Sequence, residues 1–158
     1  MVKIFDKINI MLGFFVTVLS SIFGPVWFLF MGLMIMNIVD WISGWYGAYI
    51  KKEESSKVGA KGIVKKVWYW VVIAISFYIG FSFEKMGDIL GLQLYFMNLL
   101  GYFVLSSYIV NEIRSILENF VKIGVVLPKF LVKGLKICGD IIEESAEITI
   151  GVKDNYEK

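Results

Sequence analysis

The chain has 158 residues, of which 58% are hydrophobic and only 19% charged, with a net charge of +2 and a mean hydropathy of +0.71. A soluble domain of this length runs near about 45–50% apolar and about 25% charged, so an ordinary water-soluble fold is excluded. With no histidine and a single cysteine, Cys138, the chain lacks the groups for most metal sites, for Ser-His-Asp or Cys–His nucleophiles and for an internal disulfide, and so small a net charge leaves no nucleic-acid footprint.

Lys3 and Lys7 precede an uncharged stretch, residues 8–23. No small-residue cleavage site follows, and hydrophobicity resumes directly after Gly24 and Pro25, so a retained helix is expected rather than a secretory leader. A crossing takes about 20 mostly apolar residues for roughly 30 Å of hydrocarbon. This first run falls short of that, which leaves two readings: a short span, or an arm lying at the interface.

Proline suits a first helical turn, so Pro25 opens a second run over residues 26–50, interrupted only by Asn37 and Asp40. Asp40 stands well inside that run. A carboxylate at the centre of a spanning helix costs about 2.5–3.5 kcal/mol on insertion scales, so it is expected to face other helices or water. Gly44, Gly47 and Ala48 continue a stripe of small residues from it, and such a stripe lets two backbones approach closely. Asp40, Gly44, Gly47 and Ala48 are therefore the candidate face for oligomerisation or for lining a pore. The competing reading ends the helix earlier and leaves Asp40 near the headgroups.

Residues 51–66 are polar and carry Lys51, Lys52, Lys57, Lys61, Lys65 and Lys66. They form a candidate membrane-proximal basic loop, each lysine worth about 1 kcal/mol toward an anionic lipid surface. Its glycines, Gly59 and Gly62, match no phosphate-binding pattern. A third apolar run covers residues 67–83, a short polar connection covers 84–88, and a fourth run covers 89–110. The lysine-rich connection is expected in the cytoplasm by the positive-inside rule, which places both termini there as well if four helices cross.

Beyond the fourth run, Asn111, Glu112, Ser115, Glu118 and Asn119 form a candidate cytoplasmic contact surface on a helix that continues the fourth span. After Pro128 the apolar residues Phe130, Leu131, Gly134, Leu135, Cys138, Ile141 and Ile142 recur at steps of three and four, opposite Lys129, Lys133 and Lys136. Such a helix lies on the membrane surface or packs on a partner subunit. The expected architecture is an all-α integral membrane protein. Residues 1–110 form about four transmembrane helices (three if the first is interfacial), 111–150 an amphipathic cytoplasmic helical region, and 151–158 a flexible tail.

Two blocks of residues resemble a known family. Asp40, Ser43, Gly44, Ala48, Ser55, Ser56, Gly59, Gly62 and the pair Lys65 and Lys66 form the first. Asn111, Glu112, Ser115, Ile116, Glu118, Asn119, Gly124, Leu127 and Pro128 form the second. In this order, across roughly residues 26–140, they are similar to the phage holin family that includes the clostridial toxin-secretion holins. The chain departs from that family's pattern near Tyr78 and Gly80, where an acidic residue is often found and where here the first carboxylate is Glu84. The resemblance implies a multi-pass protein of the bacterial cytoplasmic membrane that assembles into homo-oligomers among membrane lipids. At a triggered time these permeabilise the membrane and let an endolysin or a large toxin pass as cargo, with no enzymatic activity, no cofactor and no nucleic acid. The residues themselves leave two other classes open, a small four-helix transporter or channel using Asp40 and a membrane accessory or scaffold protein.

Overall fold

A computed structural model describes residues 2–52 and 56–150. Among these residues the fold is all-helical: α1 Val2–Phe23, α2 Trp27–Lys51, α3 Ser56–Leu90, α4 Leu99–Lys122 and α5 Lys129–Ile150. The expected tail, residues 151–158, lies outside the described residues, as do positions 53–55 and the side chain of Lys57.

Glycine and proline set the breaks. Gly24 takes a positive φ of 62° and Pro25 opens a single 3-10 turn, Gly24–Val26, between α1 and α2. α2 closes at Lys52, which adopts the left-handed conformation (φ 56°) and donates its N–H to the carbonyls of Ala48 and Tyr49. α3 and α4 end alike. Gly91 (φ 69°) lets Leu92 N–H reach back to Gly87 O at 2.9 Å, and Gly124 (φ 90°) lets Val125 N–H reach Phe120 O at 2.9 Å. Each loop satisfies carbonyls that the helix end would leave bare.

The helix ends differ from the ends of the apolar runs. The polar connection expected at residues 84–88 is helical and belongs to α3, and the turn comes only after Leu90. Charge does not break a helix when its charges are partnered: Lys85 Nζ lies 3.1 Å from Asp88 Oδ2, and Glu84 accepts a hydrogen bond from Asn98. The fourth apolar run is consequently split, and α4 begins at Leu99 and continues through residues 111–122. Most of the expected basic loop is also helical, since α3 starts at Ser56 and carries Lys61, Lys65 and Lys66.

The α2–α4 and α3–α4 contacts make the bundle. Gly101 allows the second of these, for a Cβ there would come within 2.7 Å of the Phe77 ring. Gly80 lets α3 pack on the 3-10 turn Tyr95–Asn98 that leads into α4, where a Cβ would come within 2.8 Å of Asn98 Cα. A small core of Leu19, Phe23, Phe30, Leu33, Ile73 and Leu105 closes the junction, with Phe23 stacked on Phe30 at 4.2 Å. α1 joins only through its last turns, and its residues 4–15 are exposed.

Outward-facing positions are apolar to a degree that water would not tolerate. Ile35, Ile38, Trp45 and Trp68 are each more than half exposed. Two helical stretches, Ile4–Lys51 and Gly59–Leu90, are long and apolar enough to cross a bilayer. α5 packs on α4 at Gly139, beside Val110, and turns Leu135 toward it, while Phe130, Leu131, Cys138 and Ile141 of its expected apolar face stay exposed. One neighbouring helix is too narrow to cover the whole stripe.

Candidate functional site: a charged cluster inside the bundle

Asp40 lies mid-way along α2, which runs on to Lys51 rather than ending earlier. Lys66 of α3 and Glu112 of α4 meet it. The Lys66 ammonium lies 2.9 Å from Asp40 Oδ2 and is ion-paired on its other side with Glu112 Oε1. Glu112 is 4% exposed, so this carboxylate depends wholly on protein partners. Two carboxylates share one ammonium, which leaves one formal negative charge to be met by dipoles.

Asn37, Trp70, Ser43 and Asn119 supply those dipoles. With its amide oriented by its neighbours, Asn37 donates to the Glu112 carboxylate at 3.0 and 3.2 Å and accepts from Trp70 Nε1–H at 2.9 Å. Asn119 Nδ2 donates to Asp40 Oδ1 at 2.9 Å, to the Asp40 carbonyl at 3.3 Å and to Ser43 Oγ at 3.2 Å. Ser43 Oγ in turn donates to the Asp40 carbonyl at 3.0 Å. Among the described residues no buried side-chain polar atom is left without a partner. A fully satisfied network of this kind fixes the register of three helices, whereas a half-satisfied one would disrupt them.

The small-residue stripe serves the same contact. A Cβ at Gly44 would stand 3.3 Å from the Asn119 amide nitrogen and one at Gly47 would stand 3.5 Å from Ile123 Cγ2. Within one chain, the face of Asp40, Gly44 and Gly47 is therefore occupied by α4, and Ala48 beside it is half-buried. Here α4 comes close enough for its asparagine to reach the α2 backbone.

The remaining sequence-selected residues divide. Lys66 leaves the expected basic loop for the bundle interior, while Lys51, Lys52, Lys61 and Lys65 are exposed. Glu112 and Asn119 are buried rather than displayed on a contact surface, Ser115 is half-buried, and Asn111 and Glu118 face outward. The inward face of α4 follows the seven-residue step from Glu112 to Asn119, which is two helical turns. A cleft of about 260 Å³ opens beside the cluster, walled by Asp40, Gly62, Lys65, Lys66, Tyr69, Asn111, Glu112 and Ser115. Sequence reasoning missed the Lys66–Glu112 pair and Trp70. The usable signal was an acidic and a basic residue each at the edge of an apolar run, facing a carboxylate inside another.

Residues 17–140 match the bacteriophage holin family. An uncharacterised protein of Listeria innocua is 37% identical over 129 residues, covering 82% of this chain and 83% of the relative. An uncharacterised 14.9 kDa protein of Clostridium perfringens is 31% identical, covering 76% of this chain and 83% of its own length. A protein of Bacillus phage phi105 named a probable holin is 29% identical over 118 residues, covering 75% of this chain and 78% of its own length. No solved structure matches the chain.

Proposed function

The chain belongs to the bacteriophage holin family, and with it to non-enzymatic membrane proteins; from that premise we propose that it accumulates in the bacterial cytoplasmic membrane, oligomerises there, and opens a lesion through which an endolysin or a large protein toxin leaves the cell. In this reading four helices cross the membrane with both termini in the cytoplasm. The lysine-rich segment 51–66 stands on the cytoplasmic side, and Glu84, Lys85 and Asp88 stand outside.

The charged cluster of Asp40, Lys66 and Glu112 supports the reading most directly. While α2, α3 and α4 stay together, their charges are mutually satisfied, and the chain presents lipid with apolar side chains alone. Such a protein accumulates without harm. Once α4 moves off the stripe of Asp40, Gly44, Gly47 and Ala48, the same groups require water or the equivalent groups of other copies. The polar face then lines the aqueous side of an assembly. Asn111, Ser115 and Glu118, next to the cluster on α4, follow it there.

Induced expression in a bacterium carrying a membrane-potential dye tests the proposal. An abrupt loss of potential after a lag is expected. Asp40→Asn keeps the shape of the residue but removes one charge from the cluster, and it is expected to shift the onset by many minutes or abolish it. Slow accumulation without depolarisation, accompanied by substrate-dependent uptake, would instead identify a transporter built around the cleft beside Asp40. An Asp40→Asn onset identical to that of the wild type would remove the cluster from the mechanism.

A further inference from the structure

A second cleft, of about 640 Å³, lies between α4 and α5, joined to the charged cluster through Lys122. Arg114 and Lys122 on α4 and Lys136 on α5 line it, together with Glu118 and Asp140, so its walls carry one net positive charge. Among the described residues none of the three cations is engaged in an ion pair. Lys122 Nζ donates to Asn119 Oδ1 at 3.4 Å, which leaves its charge uncompensated. Leu117, Val121 and Leu135 form an apolar floor to the same cleft. The helices are held close at its upper end, where a Cβ at Gly139 would meet Val110 at 3.6 Å and the Arg114 guanidinium at 4.0 Å.

Depth narrows the ligand. Arg114 follows Glu112 on α4 and Lys122 lies two turns further on, so the cations begin where the apolar bundle ends. In the orientation proposed above, on which this inference rests, that is the headgroup level of the cytoplasmic leaflet. A free inorganic anion would use the cations and have no use for the apolar floor. A glycerophospholipid uses both, the phosphate meeting guanidinium and ammonium groups while the glycerol and first methylenes cover the leucines and valine.

We propose that the α4–α5 cleft is a binding site for the phosphate headgroup of an anionic glycerophospholipid, held by Arg114, Lys122 and Lys136. Bound there, the lipid ties α5 to the membrane surface.

The test uses the full chain purified in a mild non-ionic detergent. Thermal unfolding is followed after adding dioleoyl phosphatidylglycerol, dioleoyl phosphatidylcholine or sodium phosphate. Phosphatidylglycerol is expected to raise the midpoint well above phosphatidylcholine, with sodium phosphate giving no shift. Arg114→Gln/Lys122→Gln/Lys136→Gln is expected to lose that preference, while Lys7→Gln/Lys85→Gln, removing charge away from the cleft and from the basic segments, keeps it. Native mass spectrometry of the wild type in an equimolar lipid mixture provides a readout that does not depend on the variant folding, with retained phosphatidylglycerol expected. Equal shifts from the two lipids, or a preference kept by the cleft variant, overturns the site; a shift reproduced by sodium phosphate makes it a small-anion site and overturns the lipid assignment. Depolarisation of induced cells is scored separately: abrupt depolarisation with no lipid preference sinks the cleft alone, and a lipid preference without depolarisation sinks the holin reading alone.

Discussion

Lys66 is the residue on which the interior balance turns, because it is the cation shared by Asp40 and Glu112. Its replacement by methionine would keep the length of the side chain and leave two carboxylates facing each other inside the bundle. Breaking a buried pair in this way costs about 3–5 kcal/mol, more than the pair itself contributes, because the remaining charge is uncompensated. Lys66→Met is therefore expected to lower the denaturation midpoint sharply in detergent, and Lys66→Met/Glu112→Gln is expected to recover much of the loss. Equal stability of the single and double variants would show that Glu112 does not depend on Lys66. The sequence made Asp40 legible, since a carboxylate inside an apolar run is costly wherever its partner lies. Its partners were not legible. Asn119 is 79 residues away along the chain, and hydrophobic periodicity carries no information about which helices touch. By sequence Glu112 reads as a surface group because it follows the fourth apolar run, yet the face it occupies on α4 points to Lys66.

At the scale of the helices, the same limit explains where the expected boundaries moved. The apolar runs mark what lipid or core requires, whereas a helix ends where its backbone is capped. The charge of Glu84, Lys85 and Asp88 predicts a connection there; the capping signal is Gly91, and α3 runs on to Leu90 just before it. α3 also packs closely on the 3-10 turn Tyr95–Asn98 that leads into α4. A methyl group at Gly80 would press on Asn98 Cα and the Met97 carbonyl, both backbone atoms at 2.8 Å, which cannot rotate away. Overpacking of this kind costs typically about 1–3 kcal/mol. Gly80→Ala should therefore lower the unfolding midpoint. Gly59→Ala, with no atom within 4 Å of the added Cβ, should leave it unchanged or raise it by the about 0.5–1 kcal/mol that alanine gains over glycine in a helix. Similar effects at both positions would show that α3 and the 3-10 turn Tyr95–Asn98 before α4 do not approach as described.

For the whole molecule, the open question of the sequence was whether the first helix crosses, and its attachment explains why. Only Leu19 and Phe23 of α1 reach the core, while Ile4, Ile10, Met11 and Phe14 are each 65% exposed or more. A helix so apolar and so little covered by its own chain must be covered by lipid or by another copy, and either is compatible with a crossing or with an arm at the interface. Charge separates the two. α2 begins on the outer side in the proposed orientation, so an α1 that does not cross leaves Asp6 outside, and an α1 that crosses carries Asp6 with Lys3 and Lys7 to the cytoplasm, where the positive-inside rule favours them. Single cysteines in a Cys138→Ser background read this directly, using an impermeant thiol reagent on intact cells before any depolarisation. Leu92→Cys, 55% exposed at the α3–α4 turn, should label. Ala60→Cys and Asp6→Cys should not, and both should label after the cells are opened. Labelling of Asp6→Cys in intact cells would place α1 on the outer surface and leave three crossings, whereas labelling of Ala60→Cys with silence at Leu92→Cys would invert the molecule.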